Sequence, residues 1–353
     1  MLLLFLVIIS LSSYYLWKSC SDFDRYSKII GYKLKDGIRG ATINAIGSSL
    51  PELFTSLFFL FLLGDVIGFS AGIATILGSA VFNILVIPAF IIPIFIKNKH
   101  QVLIQKHLII RDAGMLVVSQ IALLFFIQDG IVSLLDGFYL FLIYVSYILV
   151  LSRGGVFSIK TDSVHKARIS EAWKHLIVDV VKISFWCLIL VKICELLGGG
   201  DFPSYIPFHP YLKGMNWDIM FIAIFIAAAA SSIPDLFISV VDAKNGDVDD
   251  SIANPLASNL FDICISFGLP VFIYTLFKGE IVLNEGLDDT FHQDIKSLIL
   301  IMISITIVFI TSILVVKHYK LFHTILFGIL YVMFVYSICY LDDISDFLNE
   351  INI

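Results

Sequence analysis

The sequence predicts an all-α polytopic membrane protein, with ten transmembrane helices arranged as two inverted five-helix repeats. Four observations carry this. Apolar runs of about 20 residues, the length that a bilayer requires, recur along the whole chain. Of its 353 residues, 59% are hydrophobic and 15% charged, against roughly half and a quarter in a soluble domain. Basic residues gather in alternate connections between the runs. Finally, "GSSLPELFTSLFF" (Gly47 to Phe59) is repeated as "ASSIPDLFISVVD" (Ala230 to Asp242).

Ten spans follow from hydropathy: about 1–17, 38–63, 66–96, 107–127, 130–151, 174–197, 218–242, 249–277, 295–316 and 321–341. The first, "MLLLFLVIISLSSYYLW", has no basic leading region and no small-x-small cleavage site, so it reads as a retained helix rather than a signal peptide. Several runs exceed the minimum length, which allows tilt or a break inside them. The five cysteines (Cys20, Cys187, Cys194, Cys264 and Cys339) form no CxxC pair, and four lie in apolar runs, where they read as small core residues.

Lysine and arginine set the expected orientation. The first connection carries Lys18, Arg25, Lys28, Lys33, Lys35 and Arg39; the third Lys97, Lys99, Lys106 and Arg111; the fifth Arg153, Lys160, Lys166, Arg168 and Lys174; the ninth Lys317 and Lys320. The second and fourth carry none, the sixth only Lys213, and the eighth Lys278 and Lys296. Odd-numbered connections are therefore expected to be cytoplasmic and both termini outside. The acidic tail "LDDISDFLNE" agrees. The seventh connection fits least well, with Lys244 alone among Asp242, Asp247, Asp249 and Asp250.

The longest polar stretch, "SRGGVFSIKTDSVHKARISEA", divides the chain into a first half (1–151), a cytoplasmic linker (152–173) and a second half (174–353). Five spans per half means that the second half enters the membrane inverted. Many secondary transporters are built this way, with the substrate held at the midplane between the repeats.

The repeats place polar groups where lipid-facing helices would not. Six of the thirteen aligned positions are identical, including both serines and the proline, and Glu52 aligns with Asp235. In the following spans "GSAVFNILVIP" aligns with "ASNLFDICISF", so Ser79 faces Ser258 and Asn83 faces Asp262. An acid at the bilayer centre costs ~2.5–3.5 kcal/mol on insertion scales and marks function. No lysine or arginine lies within 45–96, 218–243 or 248–277 to neutralise these acids. A bound cation or proton is then required. Pro51 and Pro234, one residue before each acid, remove a helical hydrogen bond and are expected to break the helix and free carbonyl oxygens. Ser48, Ser49, Ser231 and Ser232 lie three or four residues before the acids and can share their helix face. Ser79 with Asn83, and Ser258 with Asp262, stand four apart in the same way. The donors are all oxygens, the set that hard cations such as Ca²⁺ and Na⁺ prefer; no histidine or cysteine pairing suggests a softer metal.

At these residues the chain resembles the cation/Ca²⁺ exchanger superfamily. "GATINAIGSSLPELFTSL" with "ILGSAVFNILVI" resembles its α-1 repeat (about 40–96). "SSIPDLFISVVDAKNGDVDDSIANPLASNLFDICISFGLP" resembles its α-2 repeat (about 223–277), in the form seen in K⁺-dependent Na⁺/Ca²⁺ exchangers. The resemblance implies Ca²⁺ ligation by Glu52 and Asp235. It implies Ca²⁺ and Na⁺ sites shared by Ala45, Ser48, Ser49, Ala228, Ser231 and Ser232, completed by Ser79, Asn83, Ser258 and Asp262. It further implies alternating access by sliding of the first and sixth spans. Ser48 and Ser231 stand where threonine is common, and Ala230 where glycine is frequent. An acid at the position of Asp262 accompanies K⁺ dependence in animal exchangers and also occurs in prokaryotic relatives without it, so the resemblance leaves K⁺ cotransport open.

The reading is a Na⁺-driven Ca²⁺ antiporter in the plasma membrane, functional as a monomer. Its partners are the lipid bilayer and inorganic cations, with no nucleic acid, no cofactor and no enzymatic chemistry. Antiport of Ca²⁺ against H⁺, with the same carboxylates titrating, is the close alternative. An intramembrane aspartyl protease would need YD and GxGD motifs, and neither surrounds Glu52 or Asp235. A cation channel is the third reading, against which the matched proline-bearing helices argue. Other charges have plain readings: Asp179 with Lys182 as an ion pair, Lys192 and Glu195 reaching for the interface, and the acids of the seventh connection as a solvated loop.

Overall fold

The computed structural model describes residues 2–31, 42, 45–98, 106–152, 166–198, 217–283, 290–315 and 320–340. Most of the linker, the acidic tail, and the basic residues Lys33, Lys35, Arg39, Lys99, Arg153, Lys160, Lys213 and Lys317 lie outside them.

The described chain is helical apart from one two-stranded ladder. Nine of its helices are long and apolar enough to cross a bilayer. The tenth predicted span lies inside the helix Lys166–Leu197, which carries too many charges to meet that composition. Those charges pair along its own surface: Lys182 Nζ lies 2.8 Å from Asp179 Oδ1, and Lys192 Nζ 2.6 Å from Glu195 Oε2.

The ladder shows that this helix crosses. β1 (Ile131–Val132) follows the fourth span and β2 (Ile281–Val282) follows the eighth; they pair antiparallel, Ile131 opposite Val282 and Val132 opposite Ile281. Leu283 N extends the pairing to Gly130 O at 2.8 Å. Two connections can pair only on the same side of a bilayer, so an even number of crossings must separate them. The fifth, seventh and eighth spans make three; the helix Lys166–Leu197 makes the fourth.

The second span (Ala45–Leu63) and its inverted counterpart (Ile219–Asn245) form the centre with the third (Asp65–Lys97) and eighth (Val248–Lys278). The seventh span starts at Asp218, whose side chain accepts from Phe221 N at 2.9 Å, and ends at Gly246, which takes the left-handed conformation (φ 91°) that glycine adopts without penalty. Gly78 lets the third span approach the seventh closely: a Cβ there would overlap the Ile224 carbonyl oxygen and meet Ala228 Cβ at 2.8 Å. Gly137 does the same for the fifth and eighth spans, where a Cβ would lie 2.7 Å from Gly268 O. The first span (Leu2–Ile30) and the sixth pack most extensively on each other. Tyr15 stacks on Trp186 at 4.5 Å, and Tyr26 on His175 at 4.3 Å.

The prolines do not break their helices. Pro51 sits inside the continuous helix Ala45–Leu63, and Pro234 inside Ala228–Asn245. Each removes the donor to the carbonyl four residues earlier, at Gly47 and Ala230, but the flanking turns carry the helix through. The irregularity lies elsewhere, in π-helical turns at Phe82–Val86, Ala223–Ala227 and Asp262–Phe267. Such turns shift the hydrogen-bond ladder by one residue and occur often at functional sites.

Cys20, Cys187, Cys194 and Cys264 are buried and Cys339 is exposed; none forms a disulfide. One buried cluster has no signal in the repeats. Arg111 forks onto Asp112 (Nε to Oδ1 2.7 Å, Nη2 to Oδ2 3.1 Å), and Tyr147 OH donates to the same carboxylate at 3.0 Å.

Candidate cation site

Four helical elements converge at the middle of the molecule. Glu52 comes from the second span and Asp235 from the seventh. Asn83 and Asp262 come from two of the π turns, which occupy matched positions in the two repeats. All four side chains are fully buried. One carboxylate oxygen from each of Glu52, Asp235 and Asp262 lies within 4.8 Å of the others, and among the described residues this is the one group of three such ligands. Two bare charges at that separation repel by about 3.5 kcal/mol even at an effective dielectric near 20. Three together need a cation or protons among them.

The expected hydroxyls surround the acids. Ser79 Oγ donates to Glu52 Oε1 at 3.3 Å. Ser232 Oγ lies 3.2 Å from the same oxygen, 2.7 Å from Ser79 Oγ and 2.7 Å from Ala228 O. Its single hydrogen serves one of these at a time. Ser258 Oγ donates to Asp235 Oδ1 at 2.8 Å and lies 3.2 Å from Ser48 Oγ. The carbonyl of Ala45 accepts from Ser48 Oγ at 3.3 Å, and that of Ala228 from Ser231 Oγ at 3.1 Å. The Ser49 carbonyl lies 3.3 Å from Ser266 Oγ. The structure thus brings the sequence-predicted set into one buried cluster. Pro51 and Pro234 stand beside it, and the Pro51 carbonyl accepts from Thr55 Oγ1 at 2.7 Å.

Four buried oxygens of this cluster have no hydrogen-bond partner: Glu52 Oε2, Asp262 Oδ2, Asn83 Oδ1 and Ser49 Oγ. Buried acceptors are normally paired. Hard oxygens left open beside anionic ones are what a desolvated cation requires, since Ca²⁺ takes about six to eight such ligands in flexible geometry.

Three participants lie outside the sequence-predicted set. Asn259 accepts from Asn83 Nδ2 and donates to Ala80 O, each at 3.0 Å. Ser266 donates to Asp262 Oδ1 at 3.2 Å, and Ser56 Oγ donates to the Ser266 carbonyl. Asn259 aligns with Ala80 and Ser266 with Ile87, so neither has a polar counterpart to flag it. Ser56 does align with Ser239, and that match was the available signal.

Known proteins resemble this chain in sequence and in fold. The rat sodium/potassium/calcium exchanger 3 is 40% identical over 119 residues, 33% of this chain and 18% of the relative. The human sodium/potassium/calcium exchanger 4 is 36% identical over 136 residues, 37% of this chain and 21% of the relative. The matched stretch therefore spans about a fifth of those relatives' length. Among solved structures, the sodium–calcium exchanger NCX_Mj superposes with a TM-score of 0.62 at 17% identity, over 96% of this chain and 99% of that one. An H⁺/Ca²⁺ exchanger, CAX, superposes at 0.61 and 15%, over 97% and 89%. At these identities the superpositions establish the fold alone. The model of the sodium/calcium exchanger protein family matches residues 1–153 and 211–340, and with most of its length so matched the chain belongs to that family.

Proposed function

We propose that this chain is a secondary active antiporter that exchanges Ca²⁺ for Na⁺ across the plasma membrane, with both termini outside. The observation that carries the reading is the buried trio Glu52, Asp235 and Asp262, with four unpartnered oxygens beside it and no lysine or arginine within 45–63, 219–243 or 248–277. Ca²⁺ and Na⁺ would compete for one set of oxygens. Exchange follows from mutually exclusive occupancy, because an empty trio of carboxylates is too unstable to reorient across the bilayer. The first and sixth spans, packed most extensively on each other, would slide as a pair past the central four to open the site to alternate sides. Asp262, which supplies a third charge where the first half has only Asn83, would bring K⁺ into the cycle beside Ca²⁺. This is the cation named for the sodium/potassium/calcium relatives.

The test is ⁴⁵Ca²⁺ uptake into proteoliposomes with Na⁺, K⁺ and H⁺ gradients imposed one at a time. The expected result is uptake driven by internal Na⁺ and stimulated by K⁺. Glu52→Gln and Asp235→Asn abolish it, and Asp262→Asn removes the K⁺ stimulation while leaving measurable uptake. Undiminished uptake in the Glu52 or Asp235 variant would sink the site assignment. Uptake driven by a pH gradient in the absence of Na⁺ would replace Na⁺ coupling by H⁺ coupling.

A further inference from the structure

Asn83 is an amide, and an amide has two unlike ends. Turned one way it offers a carbonyl oxygen to a cation; turned the other it offers an NH₂ group that repels one. A carboxylate has no such choice. The first half of the molecule therefore faces a problem that the second half, with Asp262 at the matched position, does not.

The bonds around Asn83 determine which way it turns. Its Nδ2 lies 3.0 Å from Asp235 Oδ2 and 3.0 Å from Asn259 Oδ1, so both amide hydrogens are committed. Its Oδ1 is buried and has no partner. Asn259 is itself fixed, because its Nδ2 donates to Ala80 O at 3.0 Å. Reversing Asn259 would set its NH₂ against that of Asn83 and its carbonyl against that of Ala80, two like pairings in a fully buried place. The run Ala80 C=O, Asn259, Asn83, Asp235 is thus directional. Asp235 alone could hold one hydrogen of Asn83, but an acid that also ligates a transported ion changes its bonding through the cycle; the Asn259 bond does not depend on that ion.

We infer that Asn259 is a positioning residue that locks the Asn83 amide with its oxygen toward the transported cation. The asymmetry of the repeats agrees: Asn259 aligns with Ala80, and the half that carries the lock is the one facing the amide, whereas Asp262 needs none. The inference rests on the cation-site reading of the preceding section and names a residue outside that ligand set.

Equilibrium ⁴⁵Ca²⁺ binding to the purified full-length chain tests it without requiring exchange. Wild-type protein that binds no Ca²⁺ would overturn the site reading itself; a binding wild type leaves the lock to be judged on variants. Asn259→Leu keeps the side-chain volume and removes both ends of the lock, and is expected to weaken Ca²⁺ binding roughly tenfold, on the scale of one lost charge-assisted bond. In an Asn83→Ala background the Asn259→Leu change is expected to have no further effect, because the group it orients is gone. If Asn259→Leu is not recovered folded, Asn259→Ala takes its place in the same cycle. Wild-type affinity in the folded Leu or Ala variant overturns the lock. So does an undiminished effect in the Asn83→Ala background, which would make Asn259 a ligand or a packing residue in its own right.

Discussion

Ser232 shows how little separates a structural hydroxyl from a ligand. A serine in an apolar helix ordinarily returns its hydrogen to a carbonyl one turn back, as Ser10 does to Leu6 O at 2.7 Å. Ser232 makes that same bond to Ala228 O, yet its oxygen also lies within reach of Glu52 Oε1 and Ser79 Oγ. It can therefore turn its hydrogen away and present lone pairs when a cation enters. Ser232→Ala is expected to weaken apparent Ca²⁺ affinity about fivefold, the equivalent of ~1 kcal/mol, with unchanged thermal stability. Ser10→Ala, at the lipid face, changes neither. Equal affinity in the two variants would remove Ser232 from the site. The acids and their serines could be read from the sequence because two buried polar residues at matched positions are improbable in a chain this apolar. Asn259 and Ser266 could not, since their counterparts, Ala80 and Ile87, are what any membrane helix carries.

The elements were legible to differing depths for a physical reason. Span positions depend on hydropathy, a property of each segment alone, and each run read from the sequence falls largely on a helix; the boundaries differ, since the expected 130–151 opens on β1 and its helix starts at Leu134, and the first helix runs on to Ile30. Helix irregularity depends on neighbours. Pro51 and Pro234 advertise breaks in the sequence, but removing one hydrogen bond does not break a helix that other helices hold on every side. The π turns at 82–86 and 262–267 have no composition that marks them, although they carry Asn83 and Asp262 into the central cluster. The turn at 223–227 shows the same dependence: it lies against Gly78, where any side chain would meet the Ile224 carbonyl. Gly78→Ala is expected to lower stability by about 1–3 kcal/mol, read as a fall in Tm in detergent, through overpacking against backbone that cannot yield. Gly114→Ala supplies the contrast. No atom lies within 4 Å of a Cβ there, and a helical glycine-to-alanine change in open space is neutral to mildly stabilising. A Gly78 variant as stable as the Gly114 variant would mean that the two spans do not approach as closely as the structure has them.

At the scale of the whole molecule, two independent arguments meet. By the positive-inside rule the distribution of lysine and arginine argues for odd connections inside, and much of that charge lies outside the described residues. The β1–β2 ladder knows nothing of charge, yet it too requires the fourth and eighth connections to share a side and the charged sixth helix to cross. The ladder fixes parity and the charges fix direction, so the two can fail separately. Asp129 and Glu280 are exposed residues flanking the ladder, and Asn98 is exposed beyond the third span. With the exposed Cys339 replaced by serine, the four remaining cysteines are buried and single cysteines can be introduced at these places. A membrane-impermeant maleimide applied to intact cells is expected to label Asp129→Cys and Glu280→Cys, and to label Asn98→Cys only after permeabilisation. If Asp129→Cys and Glu280→Cys label from opposite sides, the ladder and the tenth crossing are both wrong, and the inverted pairing of Glu52 with Asp235 loses its frame. If they label together but only from within, the ten-span count stands and the orientation reverses. The same competition between Ca²⁺ and Na⁺ would then be presented to the opposite face of the membrane, because a site built from two inverted halves works in either direction and only the gradients decide which ion leaves.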